Sequence, residues 1–262
     1  MTPLETMAMI LAVAAGTVIT RFLPFWLFPE SKGVPRVVSF LGQALPPAMM
    51  GLLVVYCLMI VGFGAKAGMM PMQSWLPAAH PVAPAPASAV LSGVITKGGV
   101  VAVIRVTYYM FGPEFLAGSW PQYVLLTLTL ATVFVGSMLA YREKQLKRRL
   151  AYSTVSQVSY VLFGIFLLSM EGLYGSLLQM VFHALAKNAL FLCAGAVICK
   201  TGCTRIKEMK GMGRRMPAVM ICFALASLSL VGIPPAGGFL AKWHLAVGAM
   251  TILTSVMQFS QL

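Results

Sequence analysis

The sequence predicts an all-α integral membrane protein, a bundle of about eight transmembrane helices, some of them broken. Three observations predict it. Of the 262 residues 59% are hydrophobic and only 10% charged, where a soluble domain carries roughly 25% charged residues. Such a chain is too apolar to solvate its own surface. Apolar runs of about 20 residues recur along most of its length, each enough to cross roughly 30 Å of hydrocarbon. No alternation of strand period is sustained, and in lipid a helix satisfies its backbone groups within its own segment.

The expected helices cover about 5–28, 38–69, 85–111, 121–141, 150–170, 173–199, 216–233 and 238–257. The first run lacks a basic n-region, carries Glu5 early, and leads to Arg21 and "FLPFWLF" instead of a small-residue cleavage site. It reads as a helix that stays, not a signal peptide. The second contains Pro46-Pro47, which should interrupt it. Residues 71–88, "PMQSWLPAAHPVAPAPAS", hold five prolines and read as a loop leading into the third helix. The fourth carries Thr127, Thr129 and Thr132, and the sixth His183 and Lys187. Between the seventh and eighth, "LVGIPPAGGF" combines two prolines with three glycines. Irregular backbone at membrane depth survives only where protein or a cavity satisfies it, and broken helices beside a buried charge mark transporters.

The formal net charge is +13. Most of the excess lies in two short loops, "YREKQLKRRL" and "KTGCTRIKEMKGMGRR", with no aromatic residues interleaved as on a nucleic-acid surface. Nucleic acid is therefore excluded as a partner. The charge rule for membrane loops places residues 142–149, 200–215 and the N-terminus in the cytoplasm, in a multi-pass protein of a bacterial cell membrane. Residues 29–37 and 112–120 then lie outside. The five cysteines (57, 193, 199, 203 and 222) form no metal-ligand pattern. No flavin, haem or iron–sulfur ligand set is visible, so no metal or cofactor is expected.

The chain has no aspartate, and its six glutamates fall at expected helix ends or in loops. Basic residues, by contrast, lie inside. Lys97 and Lys187 sit near the centres of their spans, and Lys242 follows the backbone break. A charged lysine at mid-membrane costs roughly 2.5–3.5 kcal/mol. It escapes that cost by losing its proton, which makes it able to pick up and release protons. His183 precedes Lys187 by four residues, so the two share a helix face. A lysine near a helix end instead snorkels to the interface, and that reading suits Lys66 as well as a functional one does. His80, in the Pro-rich stretch, reads equally as a packing or a functional residue, and His244 as interfacial or functional.

From residue 61 onward, "GFGAKAGMMPMQSWLPAAHPVAPAPASAVLSGVITKGGVVAVIR", "KRRLAYSTVSQVSY", "HALAKNALF" and "SLVGIPPAGGFLAKW" resemble, in order, the antiporter-like membrane subunits. These are the proton-conducting subunits of respiratory complex I, of membrane-bound hydrogenases and of Mrp-type sodium/proton antiporters. The resemblance implies inverted repeats of five helices, each with a broken helix, and a line of protonatable residues through the membrane. Lys97 matches the lysine on the first broken helix, His183 and Lys187 the central pair, and Lys242 the residue on the second broken helix. Lys66 matches a lysine often present before the Pro-rich loop. Two departures stand out. Relatives pair the first lysine with an upstream glutamate that has no buried counterpart here, and the span at 121–141 has threonines where relatives often place a lysine or histidine. Residues 1–58, with "TRFLPF" and "LPPAMMGLLVVYCL", resemble the two-helix opening of the small subunit of the branched-chain amino acid exporter. The expected organisation is thus an exporter-like segment over 1–58, an antiporter-like domain over 61–257 truncated at both ends, and a tail over 258–262.

Three functions follow from this reading. The leading one is a membrane subunit that moves protons, with or without sodium, along Lys97, His183, Lys187 and Lys242, with Lys66, His244 and His80 as further candidates. It would work beside other membrane subunits in the lipid bilayer, as a non-redox part of an NADH-quinone oxidoreductase-, hydrogenase- or Mrp-type complex with no catalytic centre of its own. The second is an exporter component governed by residues 1–58. The third is an inactive chimeric fragment.

Overall fold

The computed structural model describes residues 36–259, and every regular element among them is helical. The expected helix at 5–28 and the end of the 258–262 tail lie outside the described residues. Contacts divide the chain into two compact units, Met1–Leu53 and Val54–Leu262. Helix α1 (Arg36–Ala67) begins in the first and continues into the second. Next come α2 (Trp75–Val82), α3 (Ala85–Phe111), α4 (Pro113–Leu116), α5 (Trp120–Arg142), α6 (Leu146–Phe166) and α7 (Met170–Thr201). A 3-10 turn (Ile206–Met209) leads to α8 (Met212–Arg215), α9 (Pro217–Val231) and α10 (Gly237–Phe259).

Among the described residues, four helical stretches are long and apolar enough to cross a membrane: Ala48–Ala67 of α1, α3, α5 and α7. The expectation of about eight spans is not established. Helix α6 has the length at 21 residues, but basic and hydroxyl side chains make it more polar than its neighbours. Helix α9 has only 15 residues. The all-helical class holds.

Three local expectations need correction. Pro46-Pro47 does not end α1, which stays helical across the pair; prolines are tolerated in membrane helices because neighbouring groups re-satisfy the freed carbonyls. The Pro-rich stretch is not simply a loop, because Trp75–Val82 is helical. Pro77 falls in its first turn, where its missing N–H is no loss, and the Trp75 indole anchors that turn by donating to the Ala65 carbonyl at 2.9 Å. Helix α6 starts at Leu146, about a turn earlier than expected, and takes Lys147, Arg148 and Arg149 into its first turn. Cations oppose the helix dipole there. Lys147 is held by donating to the Ala83 carbonyl, just past α2, at 2.8 Å.

Helix α7 is the hub. It packs against α3, α6, α9 and α10, while α5 and α2 lean on α6. One apolar cluster joins Ala89 of α3, Leu150 of α6, and Leu190, Phe191 and Ala194 of α7, with Phe223 and Leu230 of α9 packed on it. Where α6, α7 and α10 converge, glycines let backbones touch. A Cβ on Gly175 would stand 2.8 Å from the Leu245 nitrogen, and one on Gly248 would stand 2.8 Å from the Gly172 nitrogen. Lipid tails are as apolar as leucine, so close packing and interhelical hydrogen bonds, not hydrophobicity, hold such helices together.

Gly175→Leu should therefore lower the unfolding free energy in detergent by at least about 1–3 kcal/mol, the usual cost of overpacking. Gly62→Leu, where a Cβ would meet nothing within 4 Å, should change it by less than about 0.5 kcal/mol. Denaturant titration followed by circular dichroism reads both.

Candidate functional site

Helix α3 is not a uniform α-helix. Leu91–Ile95 and Arg105–Phe111 are wound as wider π turns around an α-helical Thr96–Ile104. π-bulges concentrate at functional sites. Here the first one places the Ser92 carbonyl where both the Lys97 ammonium and the Thr96 hydroxyl donate to it, the latter at 3.0 Å. Lys97 is buried, with 8% of its surface exposed.

The Ser92 hydroxyl shares a hydrogen bond of 2.8 Å with the Thr154 hydroxyl of α6. Thr154 can also donate to the Leu150 carbonyl at 3.0 Å. That carbonyl accepts a second bond, from the Lys187 ammonium of α7 at 2.9 Å, and Lys187 donates as well to the Ser153 hydroxyl. Lys187 has no exposed surface. A chain of polar contacts thus runs from Lys97 on α3, through α6, to Lys187 on α7. Ser92, Ser153 and Thr154 were not singled out in the sequence. For Ser153 and Thr154 the signal was there in "YSTVSQVSY", a hydroxyl-rich run inside an expected membrane helix; a lone Ser92 carries none.

On α7 a buried polar stripe continues back from Lys187 through His183 and Gln179 to Ser176. The spacing of these residues keeps them on one face. Opposite them on α6, Gln157 accepts from the Gln179 amide at 2.7 Å and the Val161 carbonyl accepts from Ser176 at 2.9 Å. Neither ring nitrogen of His183 has a hydrogen-bond partner among the described residues. The half-buried Asn188 side chain projects at α3. A Cβ on Gly93, inside the first π turn, would fall within its carboxamide.

Lys242 lies across the break between α9 and α10. Gly232 caps α9 in the left-handed region at φ +85°. The Lys242 ammonium donates to the Leu230 and Val231 carbonyls at 2.7 and 2.9 Å and lies 5.6 Å from the centre of the Tyr160 ring of α6. A cation at the C-terminal carbonyls of a helix is the favourable arrangement for both the dipole and the unpaired acceptors.

The remaining candidates divide. His244 places Nδ1 2.8 Å from the Glu171 carboxylate at the start of α7 and sets its ring edge-on to Tyr174 at 4.8 Å. In sequence Glu171 is only a helix-end residue, since contact across 73 positions leaves no local trace. His80 is fully buried on α2 and stacked on Phe191 at 4.6 Å, so it packs against the α7 face instead of facing solvent. Lys66 is exposed in the last turn of α1, apart from the polar chain. Thr129 and Thr132 of α5 are buried but donate to carbonyls of their own helix, and Thr127 is exposed. Among the described residues no carboxylate pairs with Lys97, Lys187 or Lys242. Their acceptors are neutral oxygens.

The model of the NADH:quinone oxidoreductase/Mrp antiporter TM family matches residues 6–261. The chain belongs to that family. Among its members, NADH-quinone oxidoreductase subunit N of Desulforudis audaxviator is 37% identical over 215 residues, which cover 80% of this chain and 42% of that protein. Hydrogenase-4 component B of Escherichia coli is 34% identical over 241 residues, 88% of this chain and 35% of that one. A chain of the Mrp complex from Dietzia sp. superposes with a TM-score of 0.73 at 30% identity, covering 77% of this chain and 37% of that one. This member of the NADH:quinone oxidoreductase/Mrp antiporter family thus spans well under half the length of these relatives. The family match begins at residue 6, and the exporter resemblance of residues 1–58 finds no support in these comparisons.

The contact of α3 with α7 yields a coupled prediction. Gly93→Ala alone should cost about 1–3 kcal/mol of stability, because the Asn188 carboxamide occupies the space. In an Asn188→Ala background the same change should cost less than about 1 kcal/mol, and a double-mutant cycle on detergent-solubilised protein measures the difference.

Proposed function

We propose that the chain is a proton-translocating membrane subunit in which Lys97, His183, Lys187 and Lys242 carry the proton, Lys97 and Lys187 being linked through Ser92, Thr154 and the Leu150 carbonyl. The observation that carries this reading is Lys187: a lysine with no exposed surface, on an apolar helix, bonded only to neutral acceptors. A permanently charged group there has no carboxylate among the described residues to offset its desolvation, whereas an amine that binds and gives up a proton needs none. Intramembrane ionisable residues mark ion pathways for this reason.

The geometry supports specific roles. The Ser92–Thr154 pair can pass a proton, because each hydroxyl both donates and accepts. The Ser92 and Leu150 carbonyls hold the ammonium of each lysine in place. Two ammonium groups in one region of low dielectric repel, so loading one site favours emptying the other. His183, one turn from Lys187, adds a group that titrates near neutrality in its unperturbed form. The Gln179–Gln157 contact and Tyr160 extend the polar face toward Lys242, and the His244–Glu171 pair continues it to an exposed edge.

The names of the relatives, a quinone oxidoreductase subunit, a hydrogenase component and an Mrp complex, support placing this chain beside other membrane subunits that supply the driving reaction. Sodium enters the proposal only through the Mrp likeness. The two basic loops are proposed to face the cytoplasm, on the charge rule.

The test is proton flux in membrane vesicles that carry the full chain with its partner subunits, read with a pH-sensitive dye. Lys97→Met and Lys187→Met should each lower the rate by about tenfold or more, the scale of losing one proton-transfer group. Lys66→Met should leave it within about twofold, as befits an exposed helix-end lysine. Undiminished flux in Lys187→Met at normal expression would sink the proposal.

A further inference from the structure

The two basic loops are about 60 positions apart in sequence, yet they meet. Gln145 and Arg205 form an antiparallel bridge. The Leu146 N–H donates to the Thr204 carbonyl and the Ile206 N–H to the Lys144 carbonyl, each at 3.1 Å. Between them opens a hollow of about 340 Å³ lined by Arg142, Lys144, Arg149, Arg205 and Lys207, with Glu143 as its one acid. That acid is engaged elsewhere. Its carboxylate lies 3.5 Å from Arg148 and accepts the backbone N–H groups of Lys144 and Gln145 at 3.0 and 3.2 Å. Five cations therefore converge on one hollow without a free counter-charge among its lining residues.

The charge rule for loop orientation explains why each loop is basic. It does not explain convergence. Orientation depends on how many cations a loop carries, and like charges are better apart. Backbone bonds that draw the loops together against that repulsion make sense if an anion fills the space.

We propose that this hollow binds the phosphate headgroup of an anionic membrane lipid. Its depth favours a lipid over a soluble anion. Helix α5 is an apolar span that ends at Arg142, and α7 is an apolar span that ends at Thr201. With α5 and α7 as membrane spans, the proposal places the hollow level with the end of the hydrocarbon, where headgroup phosphates sit. Tyr141, also at its rim and 76% exposed, fits the aromatic belt found at that level. Arginine forks match phosphate oxygens in pairs, and basic pockets between membrane helices at this boundary take such headgroups.

The purified full chain in neutral detergent, titrated with fluorescent phosphatidylglycerol and with the same label on phosphatidylcholine, provides the test. Phosphatidylglycerol should bind at least about tenfold more tightly. The Arg149→Gln/Arg205→Gln double variant should bring the two lipids within about twofold. Arg214→Gln/Arg215→Gln, which removes the same charge outside the hollow, should keep the preference. The preference is a ratio read on one sample, so a variant that is merely less stable does not mimic its loss. Three results would each overturn the proposal. One is equal loss in both double variants, which would mean diffuse charge. The second is displacement of the labelled lipid by inorganic phosphate as effectively as by unlabelled phosphatidylglycerol, which would mean a soluble anion. The third is displacement by an oligo-glutamate peptide at lower concentration than by unlabelled lipid, which would mean a protein partner.

Discussion

The burial of the Lys187 ammonium is the constraint on which the rest of the arrangement depends. An amine at the centre of a 32-residue apolar helix must find acceptors within reach, and it finds them on α6 in the Leu150 carbonyl and the Ser153 hydroxyl. That requirement makes α6 the most polar of the long helices and presses it against α7. The pairing in turn uses the glycines: Gly164 of α6 and Gly172 of α7 stand so close that a Cβ on either would lie 2.7 Å from a carbonyl oxygen of the other. Side chains larger than hydrogen would push the helices apart and strand the amine.

The three inner lysines obey one rule. Each ammonium is met by backbone carbonyls, and each carbonyl is made available by a different device. For Lys97 it is a π turn, which leaves the Ser92 oxygen open to side chains five residues on. For Lys242 it is the end of α9, where the last carbonyls have no intrahelical partner. For Lys187 it is a neighbouring helix interior, where the Leu150 oxygen takes side-chain donors besides its place in the helix. Neutral oxygens stabilise an ammonium less than a carboxylate does, so none of these sites holds its proton as an ion pair would. A site that loads and unloads a proton, the role proposed for these lysines, benefits from that weakness.

The basic end of the bundle uses the same chemistry with the opposite emphasis. There the cations are exposed and numerous, and the loops that carry them are locked by backbone hydrogen bonds. Inside the bundle each lysine has its acceptors built in. At its edge the acceptors have to come from the surroundings, which is the place the proposal gives to a lipid headgroup.

Composition and periodicity alone determined the all-helical membrane class, because lipid leaves a chain of this hydropathy few other solutions. They also picked out Lys97, His183, Lys187 and Lys242, since an ionisable residue inside an apolar run is conspicuous in one dimension. Tertiary structure decided what those residues touch. Ser92, Thr154 and Ser153 looked like ordinary small polar residues until α3, α6 and α7 were brought together. The stacking of His80 on Phe191 and the exposure of Lys66 were likewise invisible in one dimension. The His244–Glu171 pair and the convergence of the two basic loops were equally hidden. The physical reason is the same in each case: burial cost belongs to a residue and its sequence neighbours, but the oxygen that offsets it belongs to whichever helix the fold places alongside.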